Sequence, residues 1–293
     1  MIHTADTITE KKDDLLMSYE KYSVLMPLYV KDDPDWFRVS VDSMLHQTVP
    51  PDEIFIICDG PLSKELDAAL EDYTQAYPGL FTIHRIKENV GLGNALAKAV
   101  PLCRNELIAR MDADDFAVPE RCEKQLRVYA EHPELSVVGT NVEEFVGDID
   151  NVVSHVVLPE HHDEIVAFAK RRCPIRHPAL MYRQSAVIKA GNYRDYRHAQ
   201  DYNLIVYMIL SGAKMYNIQE YLMYMRVNPD FYKRRGGVKQ AKLVLKLKKE
   251  FRKCGFYSRK DYIISGYGNA FVAILPNKIR ESFYKKILRK KEG

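Results

Sequence analysis

A mostly parallel α/β sheet, covered by helices on both faces, is the fold class that this 293-residue sequence predicts. Three observations carry the prediction. Apolar runs of strand length alternate four times with stretches of helical spacing, and the connections are short. A composition of 46% hydrophobic and 28% charged residues is that of a soluble globular chain with ample core material. Polar and acidic residues gather just past the ends of the apolar runs, where sheets of this kind bind ligands.

The elements follow in order. Residues 22–29 (YSVLMPLY) read as a buried strand, and 36–46 as a helix with Phe37, Val41, Met44 and Leu45 on one side. Residues 54–58 (IFIIC) form a second strand, closed by the turn Asp59-Gly60-Pro61. A helix over 65–77 ends at Pro78-Gly79, and 81–86 is a third strand. Residues 91–100 are helical, and 106–111 make a fourth strand that runs into Asp112-Ala113-Asp114-Asp115. Proline suits the first turn of a helix, so one is predicted from near Pro119 to about residue 130. Residues 137–145 are the fifth strand. Less regular patterning follows: a strand over 179–182, a strongly apolar helix over 201–211, and short strands over 215–218 and 222–226. A basic amphipathic helix over 238–256 and two further helical stretches complete the chain.

Residues 1–20 carry five acidic side chains and are expected to be a polar leader, not a signal peptide. The longest apolar run is 204–210, far short of the roughly 20 residues a spanning helix needs. Five scattered cysteines with no Cys-x-x-Cys point to reduced thiols rather than a disulfide frame or a zinc site. The net charge is +3, but residues 233–293 hold 19 Lys/Arg and 4 Asp/Glu, a balance of +15 on a body of −12. Such a tail suits an anionic partner: phosphate, nucleic acid or a membrane surface.

The groups at the strand ends are Tyr29, Asp59, the 89–94 loop and Asp112 to Asp115, and they should line one crevice. Three carboxylates as close as Asp112, Asp114 and Asp115 repel one another. Mn²⁺ or Mg²⁺, held by one or two carboxylates and by the phosphates of a nucleotide diphosphate, would offset that repulsion. The competing reading is a turn whose aspartates cap the next helix. Lys233, Arg234 and Arg235 sit in a Gly-flanked, Pro-containing segment, so they fit a mobile loop over a diphosphate or a solvated basic turn. His177, before a strand, either touches an acceptor or leaving phosphate or is structural. Asp201 opens the apolar helix, where a carboxylate is favoured by the dipole as a plain cap.

These motifs together resemble family 2 of the glycosyltransferases, with the nucleotide-diphospho-sugar transferase (GT-A) fold. The matching stretches are SVLMPLY, SMLHQTVPPDEIFIICDGP, KENVGLGNALAKAV, IARMDADDFAVPERCEKQ, RRCPIRHPALMYRQSAVIKAGNY, HAQDYNLIVYMILSG and YMRVNPDFYKRRGG. The look is that of bacterial enzymes building exopolysaccharide, capsule or O-antigen units, over roughly residues 20–290. The resemblance implies a metal held by Asp112 and Asp114. It implies a donor-binding set of Pro27, Tyr29, Asp59, Asn89, Gly91, Asn94, Asp112, Arg234 and Arg235, with Tyr29 on the base and Asp59 accepting from its N3–H. Asp201 matches the catalytic base; Gln200 departs from a more usual Glu, and Cys58 from a common Asp-Asp pair. His177, Gln200 and Lys233 fall on the acceptor or phosphate side. A base on the acceptor face and a metal on the leaving-group face imply a single displacement with inversion.

The implied domains are a leader (1–20), a catalytic domain (21–235, with halves 21–145 and 146–235) and a basic helical C-terminal extension (236–293). The implied partners are a nucleotide-sugar donor, most often a UDP-sugar, and a glycan or polyprenyl-diphosphate-linked acceptor, with no nucleic acid. Ile279, Phe283, Ile287 and Leu288 fall at helical spacing among Lys and Arg, and residues 271–275 add an apolar patch. That pattern fits an anionic membrane surface, with packing on protein as the alternative. The expected location is cytoplasmic, peripheral on the cytoplasmic face of the plasma membrane. Three rival functions stay open. A dinucleotide oxidoreductase would need a third glycine where Leu96 stands. A sugar-1-phosphate nucleotidylyltransferase would want a Gly-rich basic loop after the first strand, and PLYVKDDPDW is not one. A non-catalytic nucleotide-sugar-binding module would have no use for both Asp114 and Asp201.

Overall fold

The computed structural model describes residues 19–196, 199–227 and 237–276. In chain order the elements are β1 (Tyr22–Leu28), α1 (Pro34–Leu45), β2 (Glu53–Cys58), α2 (Lys64–Ala76), β3 (Phe81–Arg85), α3 (Leu92–Ala99), β4 (Leu107–Arg110), β5 (Phe116–Ala117), α4 (Arg121–Glu131) and β6 (Leu135–Phe145). There follow β7 (Val152–Val156), α5 (His162–Ala169), β8 (Met181–Arg183), α6 (Gln184–Lys189), α7 (Gln200–Leu210), β9 (Lys214–Arg226) and α8 (Val238–Lys253). A short α9 (Arg259–Asp261) passes through a π-helical stretch (Tyr262–Tyr267) into α10 (Gly268–Ile274).

Among the described residues the strands form one sheet in the order β3-β2-β1-β4-β8-β6-β9-β5, with β7 on β6. β1 to β4 pair in parallel, as does the long β6–β9 ladder, so most of the paired length is parallel. β8 joins the halves by antiparallel pairing on both sides. The alternation of a pleated strand explains why β1 is apolar almost throughout. Val24, Met26 and Leu28 face a core shared with Phe37 and Val41 of α1 and Leu66 of α2, whereas Leu25 faces one shared with Leu96 of α3 and Leu204 of α7.

Local chemistry sets the helix starts. Asp33 caps α1 by accepting from Asp35 and Trp36 N–H at 2.9 and 3.2 Å, and Pro34 occupies the first turn. The helix therefore opens two residues ahead of the predicted start. Ser63 caps α2 at Leu66 N–H in the same way.

The two short strands predicted over 215–226 are one strand, β9. Its register jumps from Ile218 opposite Thr140 to Tyr221 opposite Asn141, so exposed Gln219 and Glu220 bulge out of the ladder. Polar residues that break an apolar run were here a bulge rather than a strand end. The strand predicted over 179–182 begins at Met181, because His177–Ala179 form a tight 3₁₀ turn. Strands β5 and β7 and helices α5 and α6 were not foreseen. Each is eight residues or fewer and borrows its stability from a longer neighbour.

The C-terminal helices pack on the rest of the chain through α7. Phe251 of α8 meets the ring of Tyr202 edge-on at 5.0 Å, and the buried Lys248 ammonium donates to the hydroxyls of Tyr202 and Tyr257, each at 2.7 Å. Glu20 pairs with Arg183 through both carboxylate oxygens at 3.0 Å; the rest of the expected leader, residues 1–18, lies outside the described residues. All five cysteines are free. No described helix is long and apolar enough to cross a membrane.

Candidate active site

β1 and β2 end level, Leu28 opposite Cys58, and β4 ends at Arg110 opposite Leu25, so the segments that follow all three leave the same edge of the sheet. Pro27 lies in β1 opposite Ile57 of β2, and half-buried Tyr29 follows the strand. Tyr29 N–H donates to Asp32 Oδ2 at 2.7 Å, while Asp32 N–H returns a bond to Tyr29 C=O. This turn places a fourth carboxylate, Asp32, beside the Asp112–Asp115 group. The sequence did signal it: Asp33-Pro34 is the helix start, which leaves Asp32 as an acidic residue with no cap to form.

Asp59 ends β2, but its carboxylate does not stand open. It accepts from Asn89 Nδ2 (2.9 Å), Val90 N–H (2.7 Å) and Gly91 N–H (2.9 Å). The residue expected to read a base thus spends most of its acceptor capacity holding the 89–91 loop. Gly91 has φ +87°, a conformation that strains any side chain, and α3 starts there without a side-chain cap. Asn94 ties the loop to Val90 C=O and to Asp195 at 3.2 Å. A cavity lined by Gly91, Asn94, Asp195 and Tyr196 lies over this helix start, where uncapped N–H groups favour anionic oxygens. A Cβ on Gly93 would stand 3.0 Å from Arg194 C=O and 3.3 Å from Gln200 Cβ, so glycine here lets α3 approach the start of α7.

Four carboxylates face one another at the end of β4. Burial, then Asp112 and Asp32, push the Asp114 carboxyl up to about 7. Burial and Asp112 push Asp32 up to about 6, and burial with Asp114 raises buried Asp115 well above the carboxylate range. Two guanidiniums oppose this charge. Fully buried Arg110 pairs with Asp112 at 2.5 Å. Arg226, at the end of β9, donates its backbone N–H to Asp115 (2.7 Å) and Nε–H to Asp114 C=O (3.0 Å). Its guanidinium stacks between the rings of Trp36 and Phe145. Sequence reading assigned phosphate contacts to Lys233, Arg234 and Arg235, which lie outside the described residues, and passed over Arg226 at the start of the same segment.

No three His, Cys, Asp or Glu side chains converge into a closed metal cage among the described residues. The acidic group still fits a hard divalent cation, which is commonly held by one or two carboxylates with phosphate oxygens completing the shell. Burial and then mutual repulsion raise Asp32 and Asp114, and such a cation would offset both.

Half-buried Asp201 lies in the first turn of α7, after Ala199 in a left-handed conformation at φ +67°. It reaches the Cys173 thiol, which burial and then Asp201 push well up. Of the two readings of His177, the structural one fits its burial, with its ring nitrogen 2.7 Å from Tyr193 Oη. Burial and the charge of Arg110 push its imidazole well below the usual range, so it is neutral and supports Tyr193 from below. Tyr193, which sequence reading missed, is itself buried. Burial raises its hydroxyl; Arg110 lowers it, and Asp201 and Asp112 both act to raise it.

The family model for glycosyl transferase family 2 matches residues 23–191. An uncharacterized glycosyltransferase of Haemophilus influenzae is 33% identical over 273 residues, covering 92% of this chain and 100% of the relative. A UDP-Gal:alpha-D-GlcNAc-diphosphoundecaprenol beta-1,3-galactosyltransferase of Escherichia coli is 32% identical over 92% of this chain and 97% of its own length. An amylovoran biosynthesis glycosyltransferase of Erwinia amylovora is 31% identical over 90% and 98%. Among solved structures, Staphylococcus aureus TarS 1-349 in complex with UDP-GlcNAc superposes with TM-score 0.66 at 14% identity, over 91% of this chain and 76% of that one. This chain spans 46% of the longer TarS chain. A mannosyltransferase of Pyrobaculum calidifontis, in complex with GDP-Man and Mn²⁺, gives TM-score 0.62 at 13% identity, over 94% and 78%. The fold is thereby the GT-A glycosyltransferase fold, and the oxidoreductase, nucleotidylyltransferase and binding-module readings are not favoured. The chain belongs to glycosyl transferase family 2.

Proposed function

We propose that the protein transfers a sugar, with inversion, from a nucleotide-diphospho-sugar to a hydroxyl of a lipid-linked glycan during assembly of a cell-surface polysaccharide. The observation that carries this reading is the approach of α3 to the start of α7: a Cβ on Gly93 would stand 3.3 Å from Gln200 Cβ, and Asn94 donates to Asp195 at 3.2 Å. This supports a candidate base, Asp201, set beside the loop that Asp59 holds at the end of β2.

The loop held by Asp59, the turn at Tyr29 and the start of α3 receive the donor nucleotide. Asp112 and Asp114 would hold Mn²⁺ or Mg²⁺, which when bound would supply positive charge to offset that of the leaving diphosphate. Arg110 keeps Asp112 in place, and Arg226 holds the Asp114–Asp115 turn. Asp201 takes the proton of the acceptor hydroxyl as that oxygen attacks the anomeric carbon. Lys233, Arg234 and Arg235, which lie outside the described residues, are assigned to the diphosphate by the family resemblance, and Gln200 to the acceptor side. The donor is a UDP-sugar and the acceptor carries a polyprenyl diphosphate, the pairing named for the Escherichia coli relative. Such an acceptor places the enzyme on the cytoplasmic face of the plasma membrane, with the basic C-terminal segment as its contact.

A panel of UDP-, GDP- and dTDP-sugars, incubated with Mn²⁺ and a GlcNAc-diphospho-lipid analogue, tests the reading. UDP release that rises with acceptor and stops in EDTA is the expected result. Undiminished transfer in excess EDTA overturns the metal assignment, and release that no acceptor stimulates overturns the acceptor class.

A further inference from the structure

The last described helix has its polarity reversed. From Arg259 to Ile274 the chain runs without a break through α9, the π-helical stretch and α10. Its inward side is small: Ser265, Gly266, Ala270 and Ala273 are buried, and the two alanines cluster with Ala241 of α8. Its outward side is large and apolar. Ile263, Ile264, Tyr267 and Phe271 are 59%, 58%, 57% and 61% exposed, and Ile274 is 54% exposed. Spacings of three and four residues put 263, 267, 271 and 274 on one face. An isolated exposed isoleucine needs no explanation, whereas a continuous stripe of bulky apolar side chains marks an interaction surface.

The neighbouring helix says what the surface meets. Lys239, Lys242, Lys246, Lys249 and Lys253 of α8 are all exposed, again at spacings of three and four. Arg252, Arg259 and Lys260 are exposed as well. The two acidic residues of this region, Glu250 and Asp261, are half-buried and turn to Arg194 (3.7 Å) and Lys170 (3.6 Å) instead. A second copy laid on this surface would set lysine against lysine. Residues 277–293, with seven Lys/Arg and two Glu, would do the same if they folded back over it. An anionic lipid surface supplies what both lack: phosphates for the lysines and an acyl boundary for the apolar stripe.

We propose that the outward face of the 259–274 helix, flanked by the lysines of α8, is the surface by which this protein docks on an anionic bilayer leaflet. The inference rests on the membrane reading above and assigns it to particular side chains. It also gives docking a route to the site, since α8 is clamped to Tyr202, the residue next to Asp201.

The test is co-sedimentation of the full chain with phosphatidylglycerol/phosphatidylethanolamine vesicles, with phosphatidylcholine vesicles as control. The variant is Ile264→Ser/Tyr267→Ser/Phe271→Ser; a second, Lys242→Glu/Lys246→Glu, leaves the helix interior untouched should the first fold poorly. The unmodified chain should bind the anionic vesicles only. Each variant should partition roughly tenfold more weakly while hydrolysing the donor at the unmodified rate. If the unmodified chain binds and both variants bind equally well, the assignment to this face is wrong and the membrane reading survives. If the unmodified chain binds neither vesicle, the membrane reading itself fails. A dimer in solution that the serine variant dissociates would show a second copy on this face and overturn the proposal.

Discussion

Asp114 sets folding against function. Burial and the neighbouring carboxylates push it up to about 7. A carboxyl whose pKa is higher in the folded than in the unfolded chain binds its proton more tightly when folded. Its contribution to stability therefore falls as pH rises from about 4 to about 7. Asp114→Asn should raise the melting temperature of the metal-free protein by about 2–4 °C above neutral pH, and leave it unchanged near pH 4. The same variant should lose Mn²⁺-dependent nucleotide binding; calorimetry in EDTA and titration with UDP and Mn²⁺ read the two effects. Asp201 is the opposite case, a group whose work is in the transition state. Asp201→Asn should keep donor affinity and lower turnover about 10²-fold or more. A collapse of donor binding with turnover preserved would make it a donor ligand. For Asp59 the family resemblance implies a contact to the base, and the fold adds a structural role. A carboxylate that accepts three loop N–H groups is a clasp, and this follows only from where residues 89–91 come to lie. Asp59→Ala leaves those donors unpaired and should cost roughly 3 kcal/mol in urea denaturation, with weaker donor binding.

Among the elements, α7 and α8 form the joint that most shapes the candidate base. The Lys248 ammonium donates to Tyr202, Tyr257 and the Arg171 carbonyl, and burial pushes its pKa down to about 7. The hydroxyls facing it are kept protonated by burial, as is the Cys173 thiol nearby. A lysine whose pKa is lower folded than unfolded releases its proton on folding. Its contribution to stability therefore rises as pH climbs from about 7 towards about 10. Lys248→Met should flatten that rise by up to about 1.4 kcal/mol per pH unit, seen in urea midpoints measured across this range. If the variant keeps the parent's slope, Lys248 is charged in the folded chain throughout. The longer elements of the first half were readable because each has one period and one exposed or apolar side. β9 was read as two strands because a bulge and a strand end look alike in one dimension.

For the whole molecule, charge separation is the main feature: −12 on residues 1–232 against +15 on the remainder. Exposed charges are screened as the Debye length shrinks from ~10 Å at 0.1 M to ~3 Å at 1 M salt. A chain ending at residue 276 loses part of the positive segment and should bind anionic vesicles with a shallower salt dependence, while still hydrolysing donor. Identical salt curves for the two chains would show that residues 277–293 do not reach the lipid.

The order of strand and helix in the first half and the acidic group after the fourth strand can be read from consecutive residues alone. These are local: each is written in consecutive residues whose period, caps and turn chemistry agree. Which side chains come to lie beside that acidic group depends on the folded sheet. Asp32 and Arg226 come from the loop after β1 and the end of β9, and they reach Asp112–Asp115 because the sheet brings those segments side by side. His177 is inside and neutral for the same reason: its neighbours in space, Tyr193 and Arg110, are not its neighbours in the chain. Charge and burial at a site sum over distance in three dimensions, and a sequence records only distance along the backbone.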